Sequence, residues 1–268
     1  FDGGVLSWLK LIPGDYTVTE TEPGSAWTVT GSGGVVTLPA DGSSVGHTVT
    51  NTLVLSTIKA TKSFAGLNEW SVDFTLTPGS TQTATQIQPT VQWDNILPYA
   101  TYTLNEEDLG ATVDSGAFTC TRNGESIEDA DTEAAGFQAL VGPNETIACY
   151  VSNVKKGTIT IVKVTVPVNS TQPVGFAGSW TTPFVLTGES GANTYVSAPL
   201  LPGSYTVEET VPAGWFLKSV VCSDDVQTTQ GIATPELGNE DTPSRALTLS
   251  AGENLVCTYT NEQYAQIV

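Results

Sequence analysis

The sequence predicts an all-β chain of β-sandwich modules in series, the first of them incomplete. Three observations carry this expectation. Short runs rich in Val, Ile, Thr and Tyr alternate with Gly, Pro, Asn and Asp, which is the punctuation of strands and turns. The pattern recurs at a spacing of about 100 residues, the length of one sandwich domain. Each repeat closes on a strand ending in Asn: HTVTN at Asn51, CYVSN at Asn153 and CTYTN at Asn261. Helical periodicity is nearly absent, and only 125–136, ESIEDADTEAAG, suggests a brief helical turn.

Taken in order, residues 1–51 predict strands at 4–10, 16–22, 27–30, 35–39 and 47–52, with the opening strands of a full sandwich missing. Residues 52–154 start afresh with TLVLSTIKATKSF and form a second module. Residues 155–262 form a third, opening on GTITIVKVTV. After Asn261 comes EQYAQIV, whose residues 263–268 resemble the opening of another first strand. These ends lead to an expectation: a neighbour's Gln263–Val268 adds itself as a strand to the incomplete 1–51 module. Such a contact is head-to-tail and does not close, so copies of the chain would build a fibre.

The stretch LPGSYTVEETVPAGW (201–215) holds the candidate chemistry. Tyr205, Val207 and Glu209 alternate, so in a strand they share one face. The same register recurs as Tyr16, Val18 and Glu20 in IPGDYTVTETEPG, and as Tyr102, Leu104 and Glu106 in LPYATYTLNEEDLG. A carboxylate on an apolar face needs a partner. The first strands supply one: Ile159, Ile161 and Lys163 share a face, as do Ile58, Ala60 and Lys62, which turns Lys59 outward. On the closing strands Cys257, Tyr259 and Asn261 align, as do Cys149, Val151 and Asn153, and His47, Val49 and Asn51.

Each complete module therefore directs a Lys, a Glu and an Asn inward. Burial lowers a lysine pKa and raises that of a glutamic acid, by up to about 3–5 units. A neutral amine beside an amide is a nucleophile beside an electrophile, and a protonated Glu between them polarises the amide and relays protons. The product is a Lys–Asn isopeptide bond with loss of ammonia. The same residues equally suit a plain buried ion pair with a hydrogen-bonded Asn. The first module has Glu20 and Asn51 but no first-strand lysine, since Lys10 falls on a later strand. In the second, Asn105-Glu106-Glu107-Asp108 permits a register slip of one residue.

The alternation GTITIVK … LPGSYTVEETVPAGW … CTYTN resembles the collagen-adhesin B-repeat family, also called Cna-B-like or prealbumin-like domains, which includes SpaA-type pilins. The resemblance covers the second and third modules and the latter half of the first. It implies Ig-like/prealbumin-like sandwiches that build stalks and pilus shafts. It also implies an intramolecular isopeptide from Lys163 to Asn261 with Glu209, and from Lys62 to Asn153 with Glu106. The disulfides expected below depart from the family pattern, and no LPxTG-like signal is present.

Composition narrows the function classes. With 9 basic and 28 acidic residues, a formal charge of −19 argues against nucleic acid and anionic membrane as partners. No apolar run reaches the roughly 18 residues of a spanning helix. One His leaves no credible Ser/His/Asp set or metal cluster, and no glycine run has P-loop spacing, so neither a cofactor nor enzymatic turnover is expected. The acidic run Glu128-Asp129-Asp131-Glu133 matches a calcium loop in composition only. Cys120 with Cys149, and Cys222 with Cys257, is one of three possible pairings and the one the repeat favours; two bridges point to an oxidising, extracellular or cell-surface setting. Trp27 and Trp215 follow their motifs at equivalent places and are expected to pack inward. The expected function is a structural subunit of an extracellular filament or pilus-like fibre. The alternatives are a stalk segment of a long cell-surface adhesin and a spacer module of a secreted enzyme.

Overall fold

The computed structural model describes residues 4–127, 136–223, 229–233 and 244–265, and among them it contains strands and no helix. The first unit holds β1 (Gly14–Val18), β2 (Trp27–Thr30), β3 (Gly34–Leu38) and β4 (Thr50–Leu53). The second holds β5 (Ser56–Ala65), β6 (Ser71–Thr77), β7 (Thr81–Thr85), β8 (Thr90–Ile96), β9 (Ala100–Glu106), β10 (Val113–Ser115), β11 (Thr119–Arg122), β12 (Glu125–Ser126), β13 (Gly136–Val141) and β14 (Thr146–Lys155). The third holds β15 (Thr158–Val166), β16 (Val174–Gly178), β17 (Phe184–Leu186), β18 (Thr194–Val196), β19 (Gly203–Thr210), β20 (Trp215–Ser223), β21 (Thr229–Ala233), β22 (Ser244–Leu249) and β23 (Asn254–Gln263). The expected helical turn at 125–136 is replaced at its start by β12 and at its end by the first residue of β13, Gly136, while 128–135, with the acidic run 128–133, lie outside the described residues.

Each complete module is a sandwich. In the second, the sheet β12-β11-β14-β5-β8, with β10 on β14, packs against β13-β9-β6-β7. In the third, β18-β15-β23-β20-β21 packs against β17-β16-β19-β22. Alternation explains why these runs become strands: in β15, Ile159, Ile161 and Lys163 are buried while the residues between them are part-covered. In both modules the first and last strands lie side by side and parallel. Lys62 stands opposite Val151 in the β5–β14 ladder, and Lys163 opposite Tyr259 in β15–β23. The crossover that parallel pairing demands is the whole remainder of the module. Disulfides Cys120–Cys149 and Cys222–Cys257 each join residues directly opposite in neighbouring strands of one sheet.

The first unit is two separate ribbons, β1-β3 and β2-β4. Among its described residues, only Ala26 and Val36 are buried apolar side chains. Three expectations change here. Residues 4–10 are not a strand: among the described residues they join no ladder, and Val5, Leu6, Trp8 and Leu9 are exposed, because an extended segment with no neighbour gains neither hydrogen bonds nor burial. Trp215 packs inward at 9% exposure, whereas Trp27 is 41% exposed, since no opposing sheet covers β2. Residues 47–49 precede β4 rather than forming its start, and the His47 ring nitrogen Nε2 lies 2.6 Å from the Gly31 carbonyl oxygen.

Candidate functional site

The inward Lys and Asn of each complete module come from the paired first and last strands, and the Glu comes from the opposite sheet. In the third module, Lys163 on β15 and Asn261 on β23 face Glu209 on β19, and all three are fully buried. Lys163 Nζ stands 3.3 Å from Glu209 Oε1 and donates to the Tyr259 carbonyl at 3.0 Å. Asn261 Nδ2 donates to Glu209 Oε1 at 2.6 Å. Glu209 Oε2, Asn261 Oδ1 and the Tyr259 hydroxyl are buried with no hydrogen-bond partner among the described residues. Phe176, opposite Glu209 in the β16–β19 ladder, lies edge-on to the Tyr259 ring.

Electrostatics follow from that burial. Desolvation lowers the Lys163 pKa to about 8 against the opposing pull of Glu209. Desolvation likewise raises the Glu209 carboxyl above its ordinary range, although Lys163 and Asn261 both favour its charge. Burial and the nearby Glu209 push the Tyr259 phenol upward, out of the working range. The two shifts move Lys163 and Glu209 toward a neutral amine and a neutral acid, the protonation states that nucleophilic attack on an amide requires.

The second module repeats the arrangement with one addition. Lys62 Nζ on β5 is 2.6 Å from Glu106 Oε1 on β9, and Asn153 Nδ2 on β14 donates to both Glu106 oxygens at 3.1 Å. Burial lowers the Lys62 pKa, with Glu106 opposing. The register has not slipped: Glu106 is buried, while the exposed Glu107 accepts from the Asp73 backbone N–H. Here the Asn153 amide oxygen is not left bare, because the Gly116 backbone N–H donates to it at 3.2 Å. Sequence inspection missed that donor. The one available signal is Gly116 itself, where a Cβ would strike the Ser152 carbonyl, so only glycine lets the segment lie against β14.

In the first unit Asn51 Nδ2 donates to Glu20 Oε1 at 2.8 Å, the same bond as in the other two, but both residues are solvent-accessible. Among the described residues no cation pairs with Glu20. The start of the tail is engaged within its own chain. Gln263 already pairs with Trp215 as the last residue of β23, and Tyr264 donates its N–H to Gly214 and packs at a tilt against the Phe216 ring. Residues 266–268 lie outside the described residues. Also among the described residues, no group of three His, Cys, Asp or Glu side chains is placed to hold a metal, and no helix is long and apolar enough to cross a membrane.

Residues 159–263 match the family described as a prealbumin-like fold domain, which spans the third module from the start of β15 to the end of β23. No curated protein matches the chain. Among solved structures, a major pilin of Streptococcus pyogenes pairs with 79% of this chain and 98% of its own, at 11% identity and a TM-score of 0.34. The shaft pilin of Lactobacillus rhamnosus GG pairs over 80% and 100% at 12% identity, with a TM-score of 0.29. The Bacillus anthracis TIE protein pairs over 82% and 52% at 11% identity, also with a TM-score of 0.29. Pairings this distant say nothing of activity or partners.

Proposed function

We propose that this chain, whose third module matches the prealbumin-like fold family, is a structural segment of an extracellular filament or cell-surface stalk. Its two complete modules lock themselves covalently. The observation that carries the reading is the twofold occurrence of a buried Lys–Glu–Asn cluster in one geometry, Lys163/Glu209/Asn261 and Lys62/Glu106/Asn153. In each, the neutral lysine Nζ attacks the Asn side-chain carbon, the Glu relays the amine proton to the departing amide nitrogen, and ammonia leaves. One bond forms, one breaks, and no external reagent is needed. The chemistry occurs once per site, which is maturation rather than turnover.

Intact-mass measurement of the purified protein tests this. The expected result is a deficit of two ammonia masses beyond the four hydrogens of the disulfides, falling to one in Glu209→Ala. A full-length mass with neither deficit reduces both clusters to ion pairs and refutes the covalent reading.

Two modes of assembly fit a structural role. Head-to-tail complementation of the 1–51 module by Gln263–Val268 draws support from the exposed Val5, Leu6, Trp8 and Leu9 and from the two uncovered ribbons. Against it, Gln263 and Tyr264 are already engaged by β20 and Gly214 of their own module. The stalk reading, with modules following one another within a chain, is favoured by the way each module is left. The residue three beyond the closing Asn donates to an equivalent carbonyl every time: Val54 to Ala26, Lys156 to Thr112 and Tyr264 to Gly214. Electron microscopy of the untagged protein separates the two modes. Regular fibres that vanish on deletion of 263–268 establish complementation, and single short particles establish the stalk.

A further inference from the structure

The segment between the second and third modules has no slack. β14 ends at Lys155 and β15 begins at Thr158, so only Lys156 and Gly157 lie between two ladders. Every backbone N–H across this passage is taken. Lys156 donates to Thr112 of the second module, Gly157 to Leu200 of the third, and Thr158 to Glu253 of the third, at 2.8–2.9 Å. The Lys155 carbonyl in turn accepts from Gly252 of the third module at 2.8 Å. A flexible linker needs backbone groups that are free to turn and to bind water, and here each of these N–H groups is committed to one side or the other.

A second contact flanks the first. Gly66, just past the end of β5, and Gly252, in the turn between β22 and β23, both have positive φ, at 83° and 71°. They touch backbone to backbone. A Cβ on Gly66 would lie 2.6 Å from the Ala251 carbonyl carbon, and one on Gly252 would lie 2.5 Å from the Gly66 carbonyl oxygen. Any side chain at either place would therefore combine strained backbone with a clash against main chain that cannot swing aside. The same turn holds the entry of β15: Glu253 caps the Ser250 N–H with its side chain and accepts from Thr158 with its carbonyl. One rigid turn thus fixes both the exit from the second module and the start of the third.

We propose that residues 155–158, together with the facing Gly66 and Gly252 turns, are a rigid coupling that holds the second and third modules at one orientation, so that the pair moves as one body. The coupling uses backbone contacts alone and stands whether or not the isopeptide bonds form.

Pulsed electron–electron resonance on the full chain tests it, with spin labels carried on non-natural amino acids at exposed Ile87 and Val185 so that the disulfides stay intact. Three proteins are compared: the parent, Gly252→Val, and a parent with a short Gly-Ser insertion between Lys156 and Gly157. The parent is expected to give one narrow distance peak. The insertion broadens it several-fold while leaving each module's near-ultraviolet circular dichroism unchanged, and Gly252→Val broadens it less. A parent distribution as broad as that of the insertion overturns the coupling. A narrow parent peak that survives Gly252→Val overturns the role given to the facing glycines.

Discussion

The first unit and the third module carry the same Glu–Asn hydrogen bond in two different settings. Glu20 and Asn51 make it at solvent-accessible positions with no cation paired among the described residues, while Glu209 and Asn261 make it fully buried, beside a lysine and next to Phe176. The strand register that brings Glu to Asn is thus a local property of the Tyr-Thr motif and the closing strand. What places that bond in a dry site beside an amine is the remainder of the sandwich, which excludes water and supplies Lys163. The bond formation proposed for this site depends on the core.

The largest expected consequence falls on Glu209→Ala, which strands Lys163 in the core. Removing one partner of a buried pair costs about 3–5 kcal/mol, read as a loss of stability in chemical denaturation. A cost as small as that of a surface substitution would erase the distinction between the two settings. Next, replacing Cys222 and Cys257 together by Ala removes a constraint across 35 residues of sequence and is expected to cost about 2–4 kcal/mol. If the isopeptide bridges the same module, that loss falls toward the lower end.

The pH dependence sharpens the comparison further. In Asn261→Ala the bond cannot form and Lys163 stays a titrating amine. Its folded pKa, about 8, lies below the ordinary 10.5, so between those values the unfolded chain holds more protons and stability rises with pH, by up to about 1.4 kcal/mol per unit. Glu209 acts in the opposite sense: its raised pKa makes stability fall as pH climbs from 4.5 through its folded value. A cross-linked parent has no free Lys163 amine and shows no alkaline rise. Smallest of all, Glu20→Ala is expected to stay within about 0.5 kcal/mol, as an exposed substitution does. A larger effect would mean that Glu20 meets a cation after all.

Much of this site was legible in the sequence. Period-two alternation placed Lys62, Glu106, Asn153, Lys163, Glu209 and Asn261 inward, and all six are buried. Alternation reports which face a residue takes, and each of these strands has a full sandwich to face. The same reasoning failed where the sandwich is lacking. Val5–Lys10 alternates little and finds no ladder, and Trp27 has the motif position of Trp215 without the sheet that covers it. Backbone donors were invisible for another reason. Gly116 offers Asn153 its main-chain N–H, and a main-chain group leaves no mark on residue type except the glycine that lets it approach.

The parallel pairing of first and last strands has a mechanical meaning. The chain enters the second module along β5 and leaves along β14, with nine residue pairs of one ladder between the points of entry and departure. Pulling on the two ends draws the strands past each other along their length, so the ladder's hydrogen bonds are strained together and in shear instead of opening one after another. A Lys62–Asn153 bond would shorten the route still more. Tension would pass from β5 into β14 through that covalent tie, and residues 63–152 would carry none of it. A module wired this way has almost nothing to unravel and transmits force without lengthening.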